Sequence, residues 1–144
     1  MTLTARYPFS ASHRLHSPLL SEQANDEVYG KCNNPHGHGH NYWLEVTVVG
    51  EADAETGLMV ARQKLDQVVQ QEILSLVSHR NLNEELKELK GLVPTTETLA
   101  IVLAGILERR WPSHFPDASL RLGRLRIYET RNNRFEIEAN EVNQ

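Results

Sequence analysis

Three of the seven histidines in this 144-residue chain stand at alternate positions, His36, His38 and His40. Along an extended strand, residues two apart project from the same side. His38 and His40, in Gly37-His38-Gly39-His40, therefore aim two imidazoles at one point, and the glycines allow close approach of other groups. Such a pair suits zinc, which takes three protein ligands at about 2.0–2.1 Å and keeps an open position where it is catalytic. His36 shares the parity, but at about 3.3 Å per residue it lies about 13 Å from His40, too far for all three to share one ion. The third ligand must come from elsewhere, and His13 and His16, on the first strand or at its end, are the candidates.

Other residues carry reactive chemistry. Cys32 lies six residues before His38 among Lys31, Asn33 and Asn34. A thiolate is a good base or nucleophile and also a frequent zinc ligand. His79, in Ser78-His79-Arg80-Asn81, follows the first long helical stretch, where a histidine suits a helix C-terminus. Glu129 ends a strand in Ile127-Tyr128-Glu129-Thr130. One carboxylate can accept two parallel N–H bonds from the amidine-like edge of a heterocycle. Lys31, Arg80, Arg131 and Arg134 are cations able to meet phosphate, although scattered basic residues chiefly keep a surface soluble.

The elements that must position these groups follow from periodicity. Thr2 to Leu15 reads as a strand, Ser17 to Pro35 as a long loop without apolar periodicity, and Gly39 to Gly50 as a second strand alternating through Trp43, Glu45, Thr47 and Val49. Leu65, Val68, Val69, Ile73, Leu76 and Val77 fall at helical spacing over about 62–78. Asn81 to Pro94 is a second loop. Thr95 or Thr96 caps another helix with the stripe Leu99, Val102, Leu103, Ile106 and Leu107, and Pro112 and Pro116 are expected to stop it. Leu120 to Glu129 and Arg134 to Ala139 form two closing strands around Arg131-Asn132-Asn133. The order ββααββ predicts one α+β domain over 1–144, with an antiparallel four-stranded sheet and two helices on one face. The other face then calls for a partner, so oligomerisation is expected.

Composition narrows the class. The chain is 40% hydrophobic and 24% charged, as in an ordinary globular domain. Its formal net charge of −4 argues against duplex nucleic acid or an anionic membrane as the main partner, since both reward a basic face. No apolar stretch approaches the roughly 20 residues that span a bilayer, and Met1 to Arg6 lack a signal-peptide core. A single cysteine cannot form an intramolecular disulfide, so a reducing cytoplasm is the expected setting.

Five segments together resemble the 6-pyruvoyl-tetrahydropterin synthase family, nearly end to end: Phe9-Ser10-Ala11-Ser12-His13-Arg14-Leu15, Tyr29-Gly30-Lys31-Cys32-Asn33-Asn34-Pro35, Gly37-His38-Gly39-His40-Asn41-Tyr42, Thr95-Thr96-Glu97 and Tyr128-Glu129-Thr130. The resemblance implies the tunnelling fold, in which three subunits close a barrel and two trimers stack as a homohexamer. It implies action on 7,8-dihydroneopterin triphosphate, a pterin triphosphate substrate, with zinc on His13, His38 and His40. Cys32 becomes the proton-abstracting residue, His79 a second acid/base and Glu129 the pterin anchor, while Thr96 and Glu97 match the pocket segment more loosely.

Two subgroups differ in spacing: the animal-type synthases carry Cys-x5-His-x-His and the queuosine-pathway 6-carboxy-tetrahydropterin synthases Cys-x3-His-x-His. Cys32 precedes His36 by four residues and His38 by six, so both spacings are present. Asn41-Tyr42 after His40 sets the register on 38 and 40 and favours the animal type, as does the long loop from Ser17 to Gly30. His36 stands where that pattern usually has asparagine. The family usually has Asp-His where this chain has Ser78-His79. An aspartate orients the imidazole and stabilises its charged form, whereas serine supplies no charge. That departure keeps open a catalytically weak pterin-binding homologue.

Overall fold

The computed structural model describes residues 1–139. Two long antiparallel strands, β1 (Thr2–His13) and β2 (His38–Val49), pair along their full length from Thr2↔Val49 to His13↔His38. The chain between them is not the plain loop expected. It holds a helix, α1 (Glu22–Tyr29), and a 3-10 turn, Gly30–Asn33. This helix has little apolar stripe because polar bonds organise it. Buried Asn25 accepts from the Ser17 N–H at 2.7 Å and donates to the carbonyls of Ser17, Leu20 and Ser21. Asn33 donates to Asp26 at 2.7 Å and ties the 3-10 turn to the helix.

The first core helix, α2 (Arg62–Val69), runs into a π-helical turn, Gln70–Leu74, and ends in α3 (Ser75–Val77). The extra residue in the π turn shifts the phase of the stripe, so Leu74 is buried and Leu76 only half-buried. Beyond it the chain lies back along the free edge of β1 as a two-residue parallel strand, β3 (Arg80–Asn81), flanked by His79 N–H to Ser10 C=O at 2.6 Å and Leu82 N–H to Ser12 C=O at 2.8 Å. The expected four-stranded sheet is therefore five-stranded. With β4 (Arg121–Tyr128) and β5 (Arg134–Glu138), its order is β3-β1-β2-β4-β5.

The second core helix, α4 (Thr96–His114), is capped by the Thr95 hydroxyl, which accepts from the Thr98 N–H. Contrary to expectation, it passes through Pro112 and ends at Phe115. A proline so near the C-terminus removes one hydrogen bond from the last turns, and Pro116 follows the end. No helix among the described residues is long and apolar enough to cross a membrane.

Tyr7, Phe9, Leu44, Val46, Leu125 and Ile127 project from one side of the sheet and pack on Leu65, Val69, Ile73, Leu99, Leu103 and Leu107 of the helices. The opposite face carries Thr4, Arg6, Ser10, Asn41, Trp43, Glu45, Arg126 and Tyr128, a mixture of polar, charged and aromatic groups rather than an apolar patch. Burial of apolar area alone thus makes no demand for a cover on that side.

Candidate metal centre and active site

The β1–β2 register sets His13 directly across from His38, and His40 follows on the same side of β2. Their ring centroids lie 4.6–5.1 Å apart. One ligand atom from each of the three lies within 4.8 Å of the others, a cluster that could hold a metal ion. Gly37 makes the approach possible. Its φ is +71°, and a Cβ there would meet the His13 carbonyl oxygen at 3.0 Å, so a side chain is excluded twice over. A Cβ on Gly39 would meet only an ordinary 3.6 Å contact, so that glycine is not needed for the approach.

The donor set fits a cation. His13, 2% exposed, places Nδ1 2.8 Å from the Pro94 carbonyl oxygen. A carbonyl only accepts, so Nδ1 carries the proton and Nε2 turns a lone pair to the cluster. The His13 and His38 Nε2 atoms are 3.1 Å apart, near the roughly 3.3 Å between two nitrogens of a tetrahedral zinc site. His38 Nδ1 and His40 Nε2 are buried without a hydrogen-bond partner. Burial lowers the pKa of His13, despite the opposing Pro94 bond, and burial followed by the nearby His40 lowers that of His38. Both effects favour the neutral imidazoles that a metal requires.

The other candidate ligands are placed elsewhere. His16 Nδ1 lies 2.9 Å from Asn33 Oδ1, and the Arg14 guanidinium donates to that same oxygen at 3.2 Å. His36 is exposed in the turn before β2, outside the cluster.

Glu129, just past β4, extends the cluster. Its Oε1 accepts from the Thr96 hydroxyl at 2.8 Å and lies 3.8 Å from His40 Nε2. Thr96 is 2% exposed, so this carboxylate is held from behind by a buried donor at the start of α4. Behind the histidines, the Tyr42 ring stacks on Phe9 at 4.8 Å, and its buried hydroxyl has no partner. Burial raises the Tyr42 pKa, and the charges of Glu129 and Cys32 raise it further, so both groups lie within electrostatic reach of that phenol. Cys32 is partly exposed in the 3-10 turn, where its carbonyl accepts from the Leu15 N–H at 2.8 Å. Tyr42 and the Pro94 carbonyl were not singled out from sequence. Parity with His38 and His40 marked the first, and nothing marked the second.

His79 and Glu97 lie apart. His79 has φ +57°, a left-handed conformation uncommon outside glycine, anchored by its short bond to Ser10. Its backbone sits beside Ser10 at the free edge of β1, outside the three-histidine cluster. It lines a cavity of about 310 Å³ with Ser10, Ser12, Gly39, His40 and Asn41. Ser78 is half-buried beside it. Glu97 is exposed on the first turn of α4, where its charge favours the helix N-terminus.

Comparison with known proteins adds kinship to this geometry. A family profile described as 6-pyruvoyl tetrahydropterin synthase matches residues 2–140. A 6-pyruvoyl tetrahydrobiopterin synthase of Poecilia reticulata is 40% identical over 131 residues, covering 91% of this chain and 85% of the relative. The Homo sapiens protein of the same name is 38% identical over 131 residues, with 91% and 86% covered. The structure of Caenorhabditis elegans 6-pyruvoyl tetrahydropterin synthase superposes with a TM-score of 0.85 at 38% identity, covering 96% of this chain and 94% of that one.

Proposed function

We propose, because this chain belongs to the 6-pyruvoyl tetrahydropterin synthase family, that it is a zinc-dependent lyase. It converts 7,8-dihydroneopterin triphosphate to 6-pyruvoyl-tetrahydropterin with loss of triphosphate. The observation that carries this reading is the junction of a three-histidine cluster with the partly exposed Glu129 carboxylate, which the buried Thr96 hydroxyl orients. His13, His38 and His40 would hold the zinc ion, which would supply Lewis acidity to the substrate side-chain oxygens.

The chain's own residues do the rest. Glu129 accepts the paired N–H groups of the pterin edge, and the Thr96 hydroxyl keeps that carboxylate from rotating. Glu97, one residue on, completes the segment at the start of α4. Cys32 withdraws the proton as a thiolate, a form that a nearby cation favours; a reducing cytoplasm keeps it unoxidised. His79 serves as the second acid/base. It lies outside the three-histidine cluster, and in a homohexamer built as a dimer of trimers a neighbouring copy presents it.

Product analysis with 7,8-dihydroneopterin triphosphate tests the reading. A pyruvoyl product supports it. A carboxy product with acetaldehyde would reassign the chain to the queuosine-pathway reaction, and tight binding without turnover would make it a weak homologue. Ser78 favours checking the last outcome with a variant. Ser78→Asp restores the carboxylate beside His79, and it is expected to raise kcat with little change in KM. A lower or unchanged kcat would show that position 78 does not address the histidine.

A further inference from the structure

The polar face of the sheet holds a second cavity, of about 400 Å³, lined by Arg6, Asn41, Trp43, Tyr128, Thr130 and Arg131. It lies on the side away from the histidine cluster, and its polar groups share one property. Each accepts a bond from the protein and keeps a donor to offer. Asn41 Oδ1 accepts from the Ser10 hydroxyl at 2.7 Å, which leaves the Asn41 NH2 free. Thr130 Oγ1 accepts from the N–H groups of Asn132 and Asn133, at 3.3 and 3.2 Å, which leaves its O–H to donate. The Tyr128 hydroxyl takes a long 3.4 Å contact from Arg126 and likewise keeps its proton for another partner.

Two cations line this cavity. The Arg6 guanidinium lies over Trp43, 4.3 Å from the ring centroid, and 5.2 Å from that of Tyr128. Its ion pair among the described residues is a long one, 3.9 Å to Glu45 Oε1, while Arg126 holds the other Glu45 oxygen at 3.0 Å. Arg131 makes no ion pair among the described residues. Arg126 is satisfied by Glu45 and Glu136 and does not line the cavity. A site walled by donors and two guanidinium forks is complementary to an oxyanion, and two cations at one mouth favour a multivalent one. Trp43, 39% exposed, supplies a flat apolar wall that excludes water from one side.

We propose that this cavity is a binding site for a condensed phosphate anion, distinct from the histidine cluster. Phosphate oxygens receive the Arg6 and Arg131 forks, and the Asn41 amide, Thr130 hydroxyl and Tyr128 hydroxyl close on the remaining lone pairs. Recognition is of the phosphate chain and needs no organic group, so it stands whether or not the pterin reaction assigned above is correct.

Inorganic triphosphate, titrated into the zinc-loaded protein by calorimetry with tryptophan fluorescence in parallel, tests the site. Trp111 is 6% exposed in the core, so Trp43 is the responsive fluorophore. Saturable binding at one equivalent per chain is expected, with a fluorescence change that Trp43→Phe removes. Arg6→Ala and Arg131→Ala are each expected to weaken binding about tenfold or more, as loss of a charged hydrogen bond does. Both side chains are at the surface, so the fold is retained. Arg131→Lys keeps part of the affinity, and protein from which a chelator has removed the metal keeps it all. Unchanged affinity in both arginine-to-alanine variants would overturn the proposal. So would binding that Trp43 does not sense, or binding that is lost when a chelator removes the metal, which places the phosphate on the metal.

Discussion

Replacing His40 with alanine is expected to strip stoichiometric zinc from the protein and turnover with it, whereas His36→Ala keeps both. The difference lies in register. His40 follows His38 on the same side of β2, and His38 is paired across from His13. His36 lies beyond the strand in the turn closed by Gly37 N–H to Asn34 C=O at 2.8 Å. With one ligand removed, the remaining two imidazoles cannot complete the three-ligand set that a catalytic zinc site requires. His38→Ala is expected to behave as His40→Ala does. Metal analysis after dialysis checks the series. Zinc lost from the His36 variant and retained by the His40 variant would overturn the ligand assignment.

Cys32→Ala is expected to lower kcat by about 10²–10⁴-fold, the usual worth of a positioned acid or base. Zinc content and pterin affinity should stay near those of the parent. The reason is again position. The three imidazoles form the cluster without the cysteine, while Cys32 sits in a partly exposed 3-10 turn between α1 and β2. Kinetics, zinc analysis and a pterin-binding titration on the same preparation separate the two roles. Loss of zinc together with activity would make the cysteine a ligand.

Much of this arrangement was legible in the sequence because it rests on period-two alternation. His38, His40 and Tyr42 share a side of β2, as do Trp43, Glu45 and Thr47 on the other, and each pattern survives intact in the sheet. What escaped was held by other forces. Helix α1 owes its place to Asn25 and Asn33 rather than to an apolar stripe. Strand β3 is two residues long and is defined by its partner. The π turn and the passage of α4 through Pro112 are local departures that core packing tolerates. The Pro94 carbonyl, which orients His13 from 81 residues away, leaves no trace in composition. Arg131 stood in the sequence as one of four scattered cations able to meet phosphate, and Arg6 was not singled out. Only the fold shows that they share one cavity.

The placement of His79 at the free edge of β1, outside the histidine cluster, has a genetic corollary. If the proton-abstracting thiol and the second acid/base meet only across a boundary between copies, two null alleles need not be null together. Chains carrying Cys32→Ala alone, or His79→Ala alone, are each inert as pure assemblies. Co-expressed, they form mosaics in which some sites draw the intact cysteine from one parent and the intact histidine from the other. Such a mixture should regain a fraction of the parental rate, set by the statistics of mixing, whereas a double variant mixed with parent only dilutes it. Recessive lesions at these two positions would then complement within a single gene, and a cross between them would mimic lesions in two different loci.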